Sequence, residues 1–260
     1  MSWFEALILG LVQGLTEFLP VSSSGHLEIG KVLLDIEAKK DISFSIAVHG
    51  ATVLSIVVVF FSDIRKLAVD FLKFERNEST IYISKIFVSI IPIGVVGIFF
   101  KDYVESFFTG NMVLVGAMLL VTAILLALTV IVKKNNNDIG YKEAIIMGIA
   151  QVFTVLPGIS RSGATIATGL LMGGEKEQVT RFSFLMVIIP ILGASFLDIV
   201  TKPEATEIVI EPIPLMIGFV AAFLSGIFAC KTLIGIVKKG RVYYFAFYCA
   251  LIGLITIFSL

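Results

Sequence analysis

Long apolar runs separated by short charged segments are the dominant pattern of this 260-residue sequence. A helix that crosses a bilayer needs about 20 mostly apolar residues. The runs that are long enough, or nearly so, predict six transmembrane helices. These predicted spans lie at 42–62, 86–100 (extendable to 79), 106–132, 182–197, 212–230 and 242–260.

Two further apolar regions, at about 3–36 and 142–173, are each interrupted midway by a polar segment. The first segment is Pro20-Val-Ser-Ser-Ser-Gly-His26, and the second is Pro157-Gly-Ile-Ser-Arg-Ser-Gly163. Each flanking limb has roughly 11–15 residues. An α-helix rises about 1.5 Å per residue, so a limb of this length is too short to cross a bilayer. We therefore predict two re-entrant helical hairpins, because interrupted backbone at membrane depth is tolerated only where it lines a cavity.

The composition supports a membrane protein and excludes two other classes. Hydrophobic residues make up 57% of the chain and charged residues only 15%, whereas a soluble domain has roughly 25% charged residues. Disorder is excluded because the chain has 22 Phe and a net charge of zero. We predict an all-α polytopic membrane protein that forms one integral membrane domain over 1–260, with no nucleic-acid partner. Cys230 and Cys249 lie in apolar stretches and are expected to be small buried thiols.

An internal repeat relates the two hairpins. A shift of 138 residues places nine identical residues among the 21 positions from 5 to 25, and Phe44 falls on Phe182. The halves are then 1–135 and 139–260, each with one hairpin and three spans. Because three is odd, the second half must be inverted in the membrane, and inverted repeats with broken helices place a polar site near the midplane.

The basic residues predict the orientation of this inverted repeat. Thirteen Lys and Arg residues fall on one side of the predicted topology and five on the other. Since basic loops remain cytoplasmic, the first side is predicted to be cytoplasmic. The first hairpin and both termini then face outward, and the second hairpin enters from the cytoplasm.

The polar segments of the hairpins have the composition of an anion site with acid–base groups. A helix N-terminus binds anions, and an arginine grips phosphate in a bidentate manner. Histidine is the usual proton shuttle near neutral pH, serine is a common nucleophile, and a carboxylate inside an apolar limb indicates function. These properties predict phosphoryl chemistry. The candidate residues are Gln13, Glu17, Ser22, Ser23, Ser24, His26, Ser160, Arg161, Ser162 and Thr165.

Each candidate also has a purely structural interpretation. The serines from 22 to 24 could serve only as a helix cap. Glu17, His26 and Arg161 could be interior groups that are satisfied by hydrogen bonds. For His49 and Glu28, which have no counterpart in the repeat, the structural interpretation is the favoured one.

At these residues the sequence resembles the bacterial undecaprenyl-pyrophosphate phosphatase family, also called the bacitracin-resistance protein family. Gln13-Gly-Leu-Thr-Glu17 is similar to the family's (Glu/Gln)-x-x-x-Glu motif, and Pro20-Val-Ser-Ser-Ser-Gly-His26 follows directly. The segment from Pro157 to Thr165 is similar to its Pro-Gly-x-Ser-Arg-Ser-x-x-Thr motif. The resemblance covers essentially the whole chain, including the layout of six spans and two hairpins.

The resemblance implies a hydrolase of the bacterial inner membrane that converts undecaprenyl diphosphate to the monophosphate, with its active site open to the periplasmic side. This reaction recycles the lipid carrier for cell-wall polymers and lowers sensitivity to bacitracin. The implied catalytic residues are Glu17, Ser23, His26 and Arg161. The implied substrate-binding residues are Gln13, Ser22, Ser160, Ser162 and Thr165.

In the mechanism that we hypothesise, Ser23 attacks the terminal phosphorus or positions an attacking water. His26 is the general acid and base, and Glu17 orients His26 or helps to bind a metal. The resemblance implies a divalent cation, Mg²⁺ or Ca²⁺. Many family members have a second Glu at the position of Gln13. The amide in this chain weakens a metal site built on two carboxylates, so the cation would be held chiefly by the substrate's diphosphate.

Two other function classes remain open from the sequence. Inverted repeats with broken helices are also transporter architecture, so the chain could move a lipid phosphate or a small anion. A carrier needs Arg161 and the helix ends, but it does not need serine, histidine and glutamate beside them. A structural scaffold would leave Glu17 and Arg161 unexplained. The expected partners are the polyprenyl diphosphate and membrane lipids, and a homodimer is compatible with the sequence.

Overall fold

The computed structural model describes residues 1–34, 42–108, 110–131, 137–201 and 211–259. These residues form thirteen α-helices and no β-strand. In the first half they are α1 (Trp3–Phe18), α2 (Ser23–Leu33), α3 (Ile42–Val59), α4 (Phe61–Phe71), α5 (Glu78–Phe99), α6 (Lys101–Glu105) and α7 (Met112–Leu128). In the second half they are α8 (Tyr141–Val152), α9 (Arg161–Leu171), α10 (Lys176–Met186), α11 (Ile188–Thr201), α12 (Pro212–Lys238) and α13 (Tyr244–Ser259).

The structure has several helices that can cross a membrane, so the chain is a multi-pass membrane protein. Among the described residues, four helical stretches have the required length and apolar character: Glu78–Phe99, Met112–Ile131, Lys176–Thr201 and Pro212–Lys238. The bent pair of α3 and α4 becomes a fifth if it is counted as one span. The last predicted span, 242–260, corresponds to the apolar helix Tyr244–Ser259, which has 16 residues. The count of six spans therefore stays a prediction.

Two of the predicted spans differ in detail from the observed helices. The span predicted at 42–62 ends at Val59, and α4 then leaves at an angle of 79°. The span predicted at 182–197 lies inside a longer stretch that is interrupted at Val187, between α10 and α11. Pro190 explains this second interruption, because it has no N–H to donate to the carbonyl oxygen four residues earlier.

Both predicted hairpins are pairs of short helices separated by a break. α1 and α2 form the first, and α8 and α9 form the second, with a 3-10 turn at Phe153–Val155. The outgoing helices begin alike, since a glutamate in the first turn accepts a hydrogen bond from the capping backbone N–H. Glu5 caps Ser2 and Glu143 caps Gly140, both at 2.9 Å.

Each outgoing helix of a hairpin packs closely on one long helix of the other half of the chain. A Cβ on Gly10 of α1 would lie 2.9 Å from the Cα of Gly218 on α12. A Cβ on Gly148 of α8 would lie 3.0 Å from the Cα of Ser89 on α5. Small residues permit such backbone approach in membrane bundles. The two hairpins are thereby fixed against the spans and meet each other at their breaks.

Candidate active site

The outgoing helix of the first hairpin presents a buried carboxylate at its end. Gln13 and Glu17 are four residues apart, so they share one face of α1. The Glu17 side chain is only 5% exposed, and its Oε2 accepts a hydrogen bond from Gln13 Nε2 at 3.0 Å. The same oxygen accepts a hydrogen bond from Ser23 Oγ at 2.6 Å. This short bond joins a carboxylate to a hydroxyl across the break of the hairpin, which is the arrangement of a base beside a nucleophile.

The second hairpin contributes a cation to the same place. Arg161 is the first residue of α9, and its Nη1 lies 3.6 Å from Glu17 Oε1. This nitrogen has no hydrogen-bond partner among the described residues. Its donors are therefore available to an anion that enters beside Glu17. A small cavity at this point is lined by Glu17, Phe18, Ile56, Arg161, Ser162, Ser183, Phe184 and Val187.

The returning helices begin with equivalent serine caps. Ser22 Oγ accepts a hydrogen bond from the backbone N–H of Gly25 at 3.2 Å, and Ser160 Oγ accepts one from Gly163 at 3.1 Å. These two hydroxyls therefore satisfy helix N–H groups, as serine caps do, and their contact with a substrate stays a prediction. Ser23, the residue after the first cap, is the serine whose hydroxyl contacts Glu17.

The two breaks pack directly against each other. A Cβ on Gly25 would lie 3.0 Å from the Cα of Gly158, which itself has a φ of +106° that favours glycine. The hydroxyl of Ser162 donates to the carbonyl oxygen of Leu19 at 3.4 Å. The N-termini of α2 and α9 therefore lie close together, as expected for two helix ends that serve one anion.

Neighbouring helices hold the second break in place. Thr122 of α7 donates its hydroxyl to the carbonyl oxygen of Gly158 at 2.9 Å and accepts the N–H of Ser160 at 3.0 Å. Thr165 donates to the carbonyl oxygen of Arg161 at 2.8 Å and shares a hydrogen bond of 2.6 Å with Ser183. Thr165 thus supports the first turn of α9 instead of pointing its hydroxyl freely at the cavity.

His26 lies in the first hairpin, but its two ring nitrogens contact other groups than Glu17. Its Nδ1 is 2.8 Å from the carbonyl oxygen of Ser22, and its Nε2 is 2.8 Å from the hydroxyl of Tyr248 on α13. Among the described residues, the hydrogen bonds of Glu17 come from Ser23 and Gln13 instead. The expectation that Glu17 orients His26 has no contact to support it, since the residue that Glu17 contacts across the break is Ser23.

Three residues that contact the site were missed from the sequence: Thr122, Ser183 and Tyr248. Ser183 had a usable signal, since the shift of 138 residues places it on Ser45 beside the matched pair Phe44 and Phe182. Thr122 and Tyr248 belong to predicted spans, and no sequence signal distinguished them from their neighbours. Their contacts arise only when α7 and α13 pack on the hairpins.

The two polar residues given a structural interpretation have local partners. Glu28 is buried on α2 and forms an ion pair of 2.8 Å with Lys31. His49 Nδ1 lies 2.8 Å from the carbonyl oxygen of Ser45, one turn earlier on α3. Both free cysteines are buried, as expected.

The described residues contain no cluster of three or more His, Cys, Asp and Glu side chains that could hold a metal alone. One atom nevertheless suits a hard cation: the buried Oε1 of Gln13 has no hydrogen-bond partner in the described part of the chain. Mg²⁺ and Ca²⁺ prefer oxygen ligands, and Mg²⁺ is often shared with substrate phosphates. Gln13 and Glu17 therefore fit a cation that the substrate also holds, and they do not fit a cage made by the protein alone.

Comparison with known proteins finds relatives that match nearly the whole chain. The family described as "Bacitracin resistance protein BacA" matches residues 6–255. The chain is 53% identical over 260 residues to a Bacteroides fragilis protein named undecaprenyl-diphosphatase, covering 99% of this chain and 98% of that protein. It is 51% identical over 262 residues to a Bacteroides thetaiotaomicron protein of the same name, covering 100% and 99%. A Salinibacter ruber protein, also so named, is 39% identical over 265 residues, with 97% of each chain covered.

Proposed function

Because the chain belongs to the bacitracin resistance protein BacA family, we infer that it is an undecaprenyl-diphosphatase. It hydrolyses undecaprenyl diphosphate to undecaprenyl phosphate and phosphate, which returns the lipid carrier to cell-wall synthesis and confers bacitracin resistance. The observation that supports this chemistry most directly is the hydrogen bond of 2.6 Å from Ser23 to Glu17, opposite the guanidinium of Arg161. The carrier alternative has less support, because the relatives that match nearly the whole chain are named undecaprenyl-diphosphatase.

The diphosphate is proposed to bind where the two breaks meet. Arg161 Nη1 has no hydrogen-bond acceptor among the described residues, and the N-termini of α2 and α9 lie beside it. These groups would neutralise charge that develops on the phosphate oxygens in the transition state. The prenyl tail would remain among the apolar helices.

The geometry favours Ser23 as the attacking group and Glu17 as its base. Ser23 Oγ would bond to the terminal phosphorus while Glu17 accepts the hydroxyl proton and the bond from phosphorus to the bridging oxygen breaks. His26 would donate a proton to the bridging oxygen as undecaprenyl phosphate leaves, and water would then hydrolyse the phosphoserine, which releases phosphate and restores Ser23. The alternative, in which Ser23 positions a water that attacks directly, uses the same residues.

A divalent cation, Mg²⁺ or Ca²⁺, is proposed to accompany the diphosphate. Gln13 Oε1 and the Glu17 carboxylate are the two oxygen ligands that the first hairpin offers. When bound, such a cation would offset negative charge on the substrate's phosphates.

The proposed topology has six spans and two inverted halves, 1–135 and 139–260, in the bacterial inner membrane with the site open to the periplasm. Two structural observations support the repeat. The serine caps Ser22 and Ser160 are equivalent, and the pairing of α1 with α12 is repeated by that of α8 with α5. A homodimer remains part of the proposal.

Phosphate release from undecaprenyl diphosphate by detergent-purified protein tests the function. We expect release by the wild type, loss of release in Arg161→Ala and His26→Ala, and inhibition by EDTA that Mg²⁺ or Ca²⁺ reverses. If the wild type released no phosphate but proteoliposomes containing it moved labelled lipid, the protein would be a carrier. Unchanged release in EDTA would remove the cation from the proposal.

A further inference from the structure

His49 on α3 is an ionisable residue within a predicted span, and the proposed reaction does not use it. Such a group is costly at membrane depth, so it indicates a function where a polar atom is left without a partner. Nδ1 lies 2.8 Å from the carbonyl oxygen of Ser45, one turn earlier. Nε2 has no hydrogen-bond partner in the part of the chain that the structure describes, and the side chain is only half-buried. One ring nitrogen of His49 is therefore free for a ligand, whereas both nitrogens of His26 are occupied.

The internal repeat indicates the direction in which His49 faces. The shift of 138 residues places Ser23 on Arg161, and each of these two residues begins a returning helix. The same shift places His49 on Val187, which lines the small cavity together with Arg161. In an inverted repeat, the two halves face a shared site from opposite sides. His49 is therefore expected to face the site from the first half.

Two observations within the first half agree with this placement. His49 and Ile56 are two helical turns apart, so they share one face of α3, and Ile56 lines the cavity. The charge of His49 also interacts with the carboxylate of Glu17. The imidazole thus lies on the face of α3 that is directed at the site, within electrostatic range of Glu17.

The charges of the site leave a requirement that His49 can meet. Among the described residues that line the small cavity, only Glu17 and Arg161 are charged, and their charges cancel. A diphosphate ester carries more than one negative charge at neutral pH. Because a carbonyl oxygen only accepts hydrogen bonds, Nδ1 of His49 keeps its hydrogen toward Ser45. In the charged ring Nε2 bears a hydrogen as well, and a phosphate oxygen is an acceptor for it.

We propose that His49 is a substrate-binding residue, whose charged ring donates Nε2–H to a phosphate oxygen of the diphosphate. The proposal rests on the proposed function and extends it. Arg161 supplies a cation from the second half of the chain, and His49 supplies one from the first. The diphosphate would then be held between the two halves, with Ser23 and Glu17 at its terminal phosphorus.

His49→Gln and His49→Leu test this proposal, with undecaprenyl diphosphate as the substrate and inorganic pyrophosphate as a competitor. Glutamine keeps an N–H donor and loses the charge, whereas leucine loses both. A charge-assisted hydrogen bond is roughly twice as strong as a neutral one. We therefore expect KM and the inhibition constant of pyrophosphate to rise about threefold in His49→Gln and at least about tenfold in His49→Leu. The value of kcat should stay within about threefold, because the contact is made in the ground state and in the transition state alike.

Ser55→Ala is the matched control on α3. The Ser55 hydroxyl donates to the carbonyl oxygens of Ala51 and of Phe223 on α12, and Ser55 is not among the residues that line the cavity. Its KM and inhibition constant should equal those of the wild type, and thermal unfolding in detergent identifies the variants that are folded.

The kinetics separate binding from other roles of His49. Wild-type KM and inhibition constant in His49→Leu would overturn the proposal, and the same result in His49→Gln decides the matter if the leucine variant does not fold. A fall in kcat at unchanged KM would also overturn it, because the ring would then act in the chemical step. A wild-type protein that released no phosphate would instead refute the proposed function.

Discussion

Glu17→Gln is the most direct test of the proposed base, because the amide has the same shape as the carboxylate. Glu17 accepts hydrogen bonds from Ser23 at 2.6 Å and Gln13 at 3.0 Å, and it faces Arg161 at 3.6 Å. The amide oxygen can still accept from Ser23, so the hydroxyl stays in place. The substitution removes the group that can take the proton. It also removes the negative charge that faces Arg161.

The expected loss follows from what is removed. A positioned general base contributes roughly 10²- to 10⁴-fold to a rate, or about 3–5.5 kcal/mol of barrier. We therefore expect kcat for phosphate release to fall at least about a hundredfold. The substrate should still bind, because Arg161 and the helix N-termini remain.

Glu28→Gln is the matched control for this test. Glu28 is also a buried carboxylate, on the adjacent helix α2, and it pairs with Lys31 instead of with the site. Its variant is expected to keep kcat within about threefold of the wild type. Thermal unfolding in detergent should confirm that both variants are folded. If Glu17→Gln retained more than about a tenth of the wild-type kcat, Glu17 would not be the base.

Three further changes test other parts of the site. Ser23→Ala should abolish turnover and any acid-stable labelling of the protein by ³²P-labelled substrate; retained turnover would leave water as the attacking group. Arg161→Lys should raise KM and lower kcat, together reducing kcat/KM at least about tenfold, because a lysine cannot grip phosphate in a bidentate manner; unchanged kinetics would argue against that grip. Gly25→Ala should destabilise the fold by about 1–3 kcal/mol in a thermal or denaturant assay, because its Cβ would lie 3.0 Å from the Cα of Gly158. Gly94→Ala, whose Cβ would meet no atom within 4 Å, should not destabilise it; equal losses would argue against tight packing of the two breaks.

The features that depend on neighbouring residues in the chain were predictable from the sequence. The breaks of both hairpins and their serine caps follow from local chemistry. Ser22 and Ser160 each lie three residues before a glycine, and their hydroxyl oxygen accepts a hydrogen bond from its backbone N–H. The interruption before Pro190 could also have been anticipated. By contrast, the bend of 79° after Val59 occurs within a continuous apolar run that contains no proline.

The features that depend on packing between distant segments were not predictable. The polar segments indicated that Glu17, Ser23 and His26 belong together, but spacing alone did not show which of the latter two Glu17 contacts. The direction of the chain through the break decides this, and it brings Ser23 to Glu17. The partner of His26 is 222 residues away, at a position that composition and hydropathy mark only as part of a span.

That separation along the chain has a consequence for biosynthesis. His26 acquires its partner only after a further 222 residues have been made, which at about 5–20 residues per second takes roughly 10–40 s. During this interval the first hairpin can already be in the membrane while the imidazole lacks its hydrogen bond to Tyr248. In a nascent or prematurely terminated chain that lacks α13, the ring of His26 would therefore keep its hydrogen bond to Ser22 and lack the one to Tyr248, even with Glu17, Ser23 and Arg161 all present.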